Sequence, residues 1–301
     1  MSHPANSRVF LVLGIGLIAI SFASVFIKVC QAPAFVIAFY RLGISALLYT
    51  ALIQLRGAPS HLTIDSRQIR LALFSGAFLS LHFATWITSL KYTTVASSVV
   101  LVQTSPIFVA LGSALFLREK SSWFSKLGII IAFCGAVSIG AMDFSLQSGA
   151  LFGDILAILG AIGAAGYLLI GRKLRAQLDT FHYVAIVYGT AAALTLMLVV
   201  FQGQSLLQYD GNTFFWLLLI ALVPQAIGHT SLNWALKYFS ATAVAIVTLG
   251  EPIGAAFLAW LLLGEYVSAL KIIGGTIILL GVLITLLAEN RSGREKGIAE
   301  G

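Results

Sequence analysis

The sequence contains very few charged residues for its length. Lysine and arginine together number 18, and aspartate and glutamate 11, so charged side chains make up 10% of 301 residues while hydrophobic ones make up 59%. A soluble domain has about 25% charged and about 45–50% apolar residues. With a mean hydropathy of +0.98, the composition excludes an ordinary soluble protein and indicates a chain whose solvent is lipid.

Residues that build disulfides, metal sites or catalytic centres are equally scarce. The two cysteines, Cys30 and Cys134, stand beside or within apolar runs, which argues against a disulfide framework or a metal site. The sequence also lacks a His-Glu-x-x-His motif, a paired Cys-x-x-Cys motif, and the Lys and Ser/Thr of a phosphate-binding loop. We therefore expect a protein that is not an enzyme and that needs no cofactor and no metal.

Long apolar runs separated by short connections are what the sequence does contain. Ten runs reach about 18 residues or more, the length that spans a bilayer as a helix. They do not alternate polar and apolar residues as barrel strands do, so the sequence predicts an all-α integral membrane protein. The approximate ranges are 9–29, 33–55, 71–90, 94–117, 124–142, 150–170, 181–201, 213–235, 240–263 and 268–288. The polar tail that follows, 289–301, is expected to be disordered and cytoplasmic.

Basic residues are divided unequally between the two sides of these spans. With a cytoplasmic N-terminus, fourteen of the 18 Lys and Arg residues fall inside, three (Lys28, Lys91 and Lys271) fall outside, and Arg41 lies within a span. The positive-inside rule then predicts a multi-pass protein of a bacterial-type cytoplasmic (inner) membrane with both termini in the cytoplasm. This asymmetry also accounts for the net charge of +7 without nucleic acid as a partner. The expected partners are the lipid bilayer and a small molecule, and the oligomeric state stays open.

The second half of the chain repeats the first. After a shift of 146 residues, segment 90–138 matches segment 236–284 without a gap at 13 of 49 positions, including Pro106-Ile107 against Pro252-Ile253. Each half holds five predicted spans, and an odd number forces the second half into the membrane in the opposite orientation. Inverted-topology repeats are typical of secondary transporters, because two related halves can expose a shared midplane site to either side.

Several short stretches resemble a known family. They are Phe39-Tyr40-Arg41-Leu42, Val102-Gln103-Thr104-Ser105-Pro106, Leu117-Arg118-Glu119-Lys120, Gly250-Glu251-Pro252 and Leu263-Gly264-Glu265. Over about residues 9–287 the chain resembles the drug/metabolite transporter superfamily, with a first EamA repeat at 1–142 and a second at 150–288. The resemblance implies ten helices, cytoplasmic termini, a central cavity, and transport or exchange of small metabolites, often efflux, without ATP.

Polar side chains inside the spans predict where the site lies. At 1.5 Å per residue, Arg41 is about 12 Å and Glu251 about 16 Å deep. A charge at a helix centre costs about 2.5–3.5 kcal/mol on insertion scales, so both are expected to face the bundle interior. The predicted central cavity is lined by Arg41, Tyr40, His82, Trp86, Gln103, Gln225, His229, Asn233 and Glu251. Of these, His82 and Trp86 share one helical face, as do Gln225, His229 and Asn233. The alternative is that such residues only bond helices together, with Arg41 paired to Glu251.

Three prolines fall inside predicted spans. Pro106, Pro224 and Pro252 lack the N–H that an α-helix needs, so each predicts a helix break. Pro106 and Pro252 are equivalent in the repeat, which favours hinges or a binding site at the repeat interface; static kinks are the alternative.

The combined interpretation is a secondary active exporter or exchanger that works by alternating access around a midplane cavity. One buried cation and one buried anion favour an amino acid or a related zwitterion, with its carboxylate at Arg41 and its ammonium at Glu251. Multidrug or organic-cation efflux is the alternative substrate class, and a channel or non-transporting membrane protein is the alternative function. The identity of the substrate, the direction of transport and coupling to protons stay open.

Overall fold

A computed structural model of the protein describes residues 6–56, 64–116, 123–146, 149–238, 244, 247, 248, 250–281, 283 and 284. Every regular element within these ranges is helical, as predicted. The helices are α1 (Asn6–Ser21), α2 (Ala23–Val29), α3 (Ala34–Arg56), α4 (Ser66–Tyr92), α5 (Val95–Val102), α6 (Ser105–Phe116), α7 (Trp123–Leu146), α8 (Ala150–Arg175), α9 (Thr180–Phe201), α10 (Gly211–Ile220), a π-helical segment (Ala221–His229), α11 (Thr230–Ala235), α12 (Glu251–Leu263) and α13 (Ala269–Gly281). The predicted disordered tail and Glu119 lie outside the described residues.

Six helical spans are long and apolar enough to cross a membrane. They are Leu11–Val29, Ala34–Arg56, Ser66–Tyr92, Ala150–Arg175, Thr180–Phe201 and Gly211–Ala235. They coincide with the first, second, third, sixth, seventh and eighth predicted spans. Shorter apolar helices cover parts of the fourth, ninth and tenth. The regular structure of the described residues is therefore helical, with several spans of the length and composition that cross a membrane.

Acidic caps fix where three of the long helices begin. The Asp65 carboxylate accepts from Gln68 N at 2.7 Å while the Gln68 side chain accepts from Asp65 N at 3.1 Å, which closes a capping box at the start of α4. Asp179 and Asp210 cap α9 and α10 through their carboxylates alone, which accept from backbone N–H groups of the first turn. Such caps satisfy backbone N–H groups that have no partner inside the helix. Each cap lies where a polar connection ends and an apolar helix begins.

All three prolines stand where α-helical geometry is interrupted. The fourth span is not one continuous helix, because α5 ends at Val102 and α6 starts at Ser105. Pro106 and Pro252 are the second residues of α6 and α12, where a missing N–H removes no helical bond. Pro224 lies inside the π-helical segment, which closes when Thr230 N donates to Gln225 O, five residues back. Helical geometry therefore changes at each of the three prolines, by an interruption of the helix at Pro106 and Pro252 and by a wider turn at Pro224.

Two crossings between helices of the first half and helices of the second half use repeat-related positions. Helix α4 packs on α8, and the π-helical segment with α11 packs on α1. A Cβ added to Gly160 would lie 3.4 Å from His82 O, and one added to Gly16 would lie 3.4 Å from Gly228 O. Gly16 and Gly160 are 144 residues apart, and His82 and Gly228 are 146 apart, so repeat-related positions make both contacts.

Helices α7 and α13 meet in a reciprocal contact. A Cβ on Gly135 would lie 2.9 Å from Gly274 O, and a Cβ on Gly281 would lie 2.6 Å from Gly128 O. The shift of 146 residues converts Gly128 into Gly274 and Gly135 into Gly281. The two helices therefore contact each other through repeat-related surfaces. Only glycine, which has no Cβ, lets the two backbones approach so closely.

Candidate functional site: a polar cavity between the helices

A cavity lies where α1, α4, α8 and α11 surround the broken helices at Gln103 and Glu251. Its volume is about 70 Å³, enough for several water molecules. Six of the predicted site residues line it, namely His82, Trp86, Gln103, His229, Asn233 and Glu251. The rest of the wall comprises Ile20, Val102, Ser105, Ala164, Tyr167, Leu168, Leu232, Val244 and Thr248.

Glu251 brings a carboxylate into this wall. Its Oε2 accepts from Gln103 Nε2 at 2.7 Å, and Gln103 Oε1 accepts from Thr248 Oγ1 at 3.2 Å. The break after α5 and the start of α12 are thereby joined across the two halves of the chain. Glu251 is half-buried and is the one Asp, Glu, Lys or Arg residue in the described wall of the cavity. The cavity therefore offers an acceptor for a cation.

Two histidines and a tryptophan form another part of the wall. His82 Nδ1 lies 2.9 Å from Gly160 O. Because a carbonyl oxygen only accepts, Nδ1 must carry the proton, which leaves Nε2 as the acceptor of the neutral ring. The His82 ring stacks on the Trp86 ring with centroids 5.8 Å apart. The centroids of the His82 and His229 rings are 6.4 Å apart. Flat aromatic faces are thus combined with neutral polar atoms.

Asn233 reaches the cavity but is bonded within the bundle. Its Oδ1 accepts from Tyr167 OH at 2.6 Å, and its Nδ2 donates to Tyr188 OH at 3.1 Å. The network joins α8, α9 and α11, which is the interhelical bonding considered above as the alternative. Tyr167 and Tyr188 are not among the site residues predicted from the sequence. The available signal was that a tyrosine deep in an apolar run needs a partner for its hydroxyl.

Arg41 lies beside the cavity rather than in its wall. It is fully buried, its Nε donates to Gln225 Oε1 at 2.6 Å, and its guanidinium carbon lies 4.0 Å from the centroid of the Phe83 ring. The described ion pairs join Lys28 to Glu265 and His182 to Asp179 and do not include Arg41 with Glu251. The structure thus shows no direct pairing of the two intramembrane charges.

Two further predicted residues lie outside the wall of the cavity. Gln225 does not share the face of His229 and Asn233, because the wider turn of the π-helical segment rotates it toward Arg41. Tyr40 donates from its hydroxyl to Leu206 O at 2.8 Å, in the connection after α9. Neither residue is among those that line the cavity.

Polar contacts close the end of the bundle that is predicted to face outside. Glu265 Oε1 lies 3.5 Å from Lys28 Nζ, and Glu265 Oε2 accepts from Val95 N at 3.0 Å. Lys271 Nζ donates to Ser97 Oγ at 2.8 Å, and Lys91 Nζ donates to the carbonyl of Cys30 at 3.4 Å. The contacts of Glu265 and Lys271 connect the second half of the chain with the first, whereas that of Lys91 lies within the first half. This role of Glu265 was not predicted from the sequence.

Comparisons with known proteins agree with this architecture. The sequence model of the EamA-like transporter family matches residues 7–141 and 151–287. An uncharacterized transporter of Archaeoglobus fulgidus is 27% identical over 298 residues, which cover 95% of this chain and all of the relative. The pseudopaline exporter of Pseudomonas aeruginosa is 28% identical over 83% of this chain and 85% of its own. One crystal structure superposes with a TM-score of 0.67 at 17% identity, over 94% of this chain and 99% of that one, a likeness of fold alone.

Proposed function

This chain belongs to the EamA-like transporter family, and from that premise we propose a secondary active transporter that moves a small zwitterionic metabolite by alternating access. The observation that carries the proposal is the carboxylate of Glu251 in the cavity wall, held by Gln103 from the other half of the chain at 2.7 Å. In transporters built from repeats, the substrate site lies near the midplane between the repeats and is formed by broken helices. Glu251 and Gln103 both stand at such breaks.

We propose ten transmembrane helices arranged as two inverted repeats, at 1–142 and 150–288. Two observations support this arrangement. The crossing at Gly16 uses the register of the crossing at Gly160, and α7 and α13 contact each other through repeat-related glycines. A pseudo-twofold axis in the membrane plane would produce both, since it exchanges the two halves and so converts one contact between them into the other.

The chemistry of the wall favours an ammonium-bearing substrate. Glu251 can accept a charge-assisted bond from the ammonium. His82 Nε2 and His229 add neutral polar contacts. A sugar phosphate would need several Lys or Arg side chains, and the described wall has none. Amino acids and related zwitterions are therefore the first candidates.

Export is the direction that we propose. The family relative named as a pseudopaline exporter supports it. In this arrangement both termini lie in the cytoplasm and the protein resides in the cytoplasmic membrane. If protons drive transport, Glu251, His82 and His229 are the groups in the cavity wall that would carry them.

Uptake into liposomes that contain the purified protein tests the proposal. A labelled panel of L-amino acids should show saturable flux above that of protein-free liposomes, and unlabelled amino acids should compete. Phosphorylated sugars and lipophilic cations should compete weakly or not at all. If either of these blocks flux while the whole amino-acid panel has no effect, the zwitterion assignment is wrong and multidrug or organic-cation efflux takes its place.

A further inference from the structure

Four buried nitrogen atoms beside the cavity have no hydrogen-bond partner among the residues that the structure describes. They are Nη1 and Nη2 of Arg41, Nε2 of Gln225 and Nε1 of Trp86. Arg41 and Gln225 are 0% exposed and Trp86 is 3% exposed. Buried polar groups in folded proteins are nearly always hydrogen-bonded, because an unsatisfied one retains the full cost of losing its water. Several of them together therefore indicate a place for a ligand.

The three side chains form one cluster. Arg41 Nε lies 2.6 Å from Gln225 Oε1, and the guanidinium carbon lies 5.7 Å from the centroid of the Trp86 ring. Because Nε of arginine can only donate, the Gln225 atom that faces it must be the amide oxygen, and the amide nitrogen is the atom without a partner. All four unsatisfied atoms are thus donors.

The cluster also carries a positive charge that no described acidic side chain neutralises by a direct ion pair. The Phe83 ring, 4.0 Å from the guanidinium carbon, offsets part of the cost of burying that charge. An anion whose polar atoms are all hydrogen-bond acceptors would offset more of the cost of burying the Arg41 charge. A planar carboxylate matches the fork of the guanidinium with two parallel bonds, whereas a phosphate dianion would bring two negative charges against one positive charge.

We propose that Arg41, Gln225 and Trp86 form a subsite for the carboxylate of the transported molecule. This inference rests on the function proposed above and makes it more specific. Trp86 belongs both to the cluster and to the cavity wall that contains Glu251, so the subsite adjoins the cavity. A zwitterion then has its ammonium at Glu251 and its carboxylate at Arg41, and an amine without a carboxylate lacks half of its contacts.

Thermal unfolding of the purified full-length protein measures this selectivity without any transport step. The probes are the L-amino acids, each beside its own carboxamide, which keeps the ammonium and the side chain but removes the negative charge. A ligand that binds the folded state raises the unfolding temperature. We expect the amino acids that compete in the flux assay to do so and their carboxamides not to. Carboxamides that stabilise the protein as well as the acids would overturn the subsite.

Two substitutions address the cluster itself. Gln225→Glu places a permanent carboxylate against Arg41, so the ligand-free protein should unfold at a higher temperature and lose its response to amino acids. Gln208→Glu, in an exposed connection, is the matched control and should leave both unchanged. Arg41→Gln should raise the half-saturating amino-acid concentration about 10- to 150-fold, the effect of one charge-assisted hydrogen bond.

The outcomes separate this subsite from the proposed function. If Arg41→Gln does not fold, Gln225→Glu still decides, because an unchanged response to amino acids in that variant contradicts the subsite. If liposomes transport the carboxamides as fast as the acids, the subsite is wrong and the transporter stands. If the purified protein distinguishes acids from carboxamides but no probe crosses the membrane, the subsite stands and the transport function fails.

Discussion

Replacing Glu251 with glutamine removes the charge from the cavity wall and nearly nothing else. The amide oxygen of glutamine can still accept from Gln103 Nε2, which now bonds the carboxylate at 2.7 Å. A hydrogen bond to a charged group contributes about 1.5–3 kcal/mol and a neutral one about 0.5–1.5 kcal/mol, so folding should be little affected. A substrate ammonium loses its ionic partner in full. At about 1.4 kcal/mol per factor of ten, KM should rise about 10- to 150-fold.

Initial rates of uptake into liposomes measure this effect. Asp210→Asn is the control, because Asp210 caps α10 in an exposed connection and asparagine caps helices about as well as aspartate. Both variants lose one carboxylate, yet only Glu251→Gln should raise KM. If Glu251→Gln inserts normally and keeps the wild-type KM, or if the two variants weaken transport equally, Glu251 does not bind the ammonium.

Three further predictions concern packing, outer closure and topology. Gly163→Ala should lower the midpoint of thermal unfolding, since its Cβ would lie 2.7 Å from a backbone nitrogen of α4 and overpacking costs about 1–3 kcal/mol. Glu265→Gln should speed the labelling of Cys30 by a membrane-impermeant thiol reagent added outside. The substitution removes the ion pair between Glu265 and Lys28, at the end of α2. Fewer contacts then cover the buried thiol of Cys30. A cysteine placed at Ser145 should be labelled from outside in intact cells, and one placed at Ser292 should not.

Each of these has its own control. Gly189→Ala meets no atom within 4 Å, so it should not lower the unfolding midpoint, and an equal loss in both glycine variants would refute the packing argument. The labelling of Cys30 is measured with Cys134 replaced by serine, because Cys134 is exposed. An unchanged rate in Glu265→Gln means that the outer contacts do not protect this end. The reverse labelling pattern at the two serine positions would refute the topology and the inverted repeat together.

The long apolar segments of the sequence predicted much of the fold, and the polar residues inside those segments predicted part of the site. An apolar run of sufficient length has to be a helix in lipid, since only a helix satisfies its own backbone there. His82, Trp86 and Glu251 were predicted to face the bundle interior because facing lipid would be costly, and the structure places all three in the wall of the cavity. The resemblance to the family is confirmed by the match of its sequence model to both halves.

What the sequence did not show depends on local geometry and on distant partners. The face assigned to Gln225 assumed a regular α-helix, whereas the π-helical segment around Pro224 turns this side chain to Arg41. The helix propensities of single residues do not predict that change from α-helical to π-helical geometry. Tyr167 and Glu265 acquire their roles from partners 66 and 170 residues away. Such pairings follow from the packing of the helices, which periodicity alone does not specify.

The most direct test of the central claim is counterflow with the purified protein in liposomes. Vesicles are preloaded with a high concentration of an unlabelled amino acid from the competing set, and a trace of the same labelled compound is added outside. Alternating access predicts that the label accumulates inside the vesicles transiently above its equilibrium level. The reason is that each unlabelled molecule carried out leaves the binding site open to the outside, where it binds a labelled molecule and carries it in. A channel would let the label equilibrate without this overshoot, and that result would contradict the account.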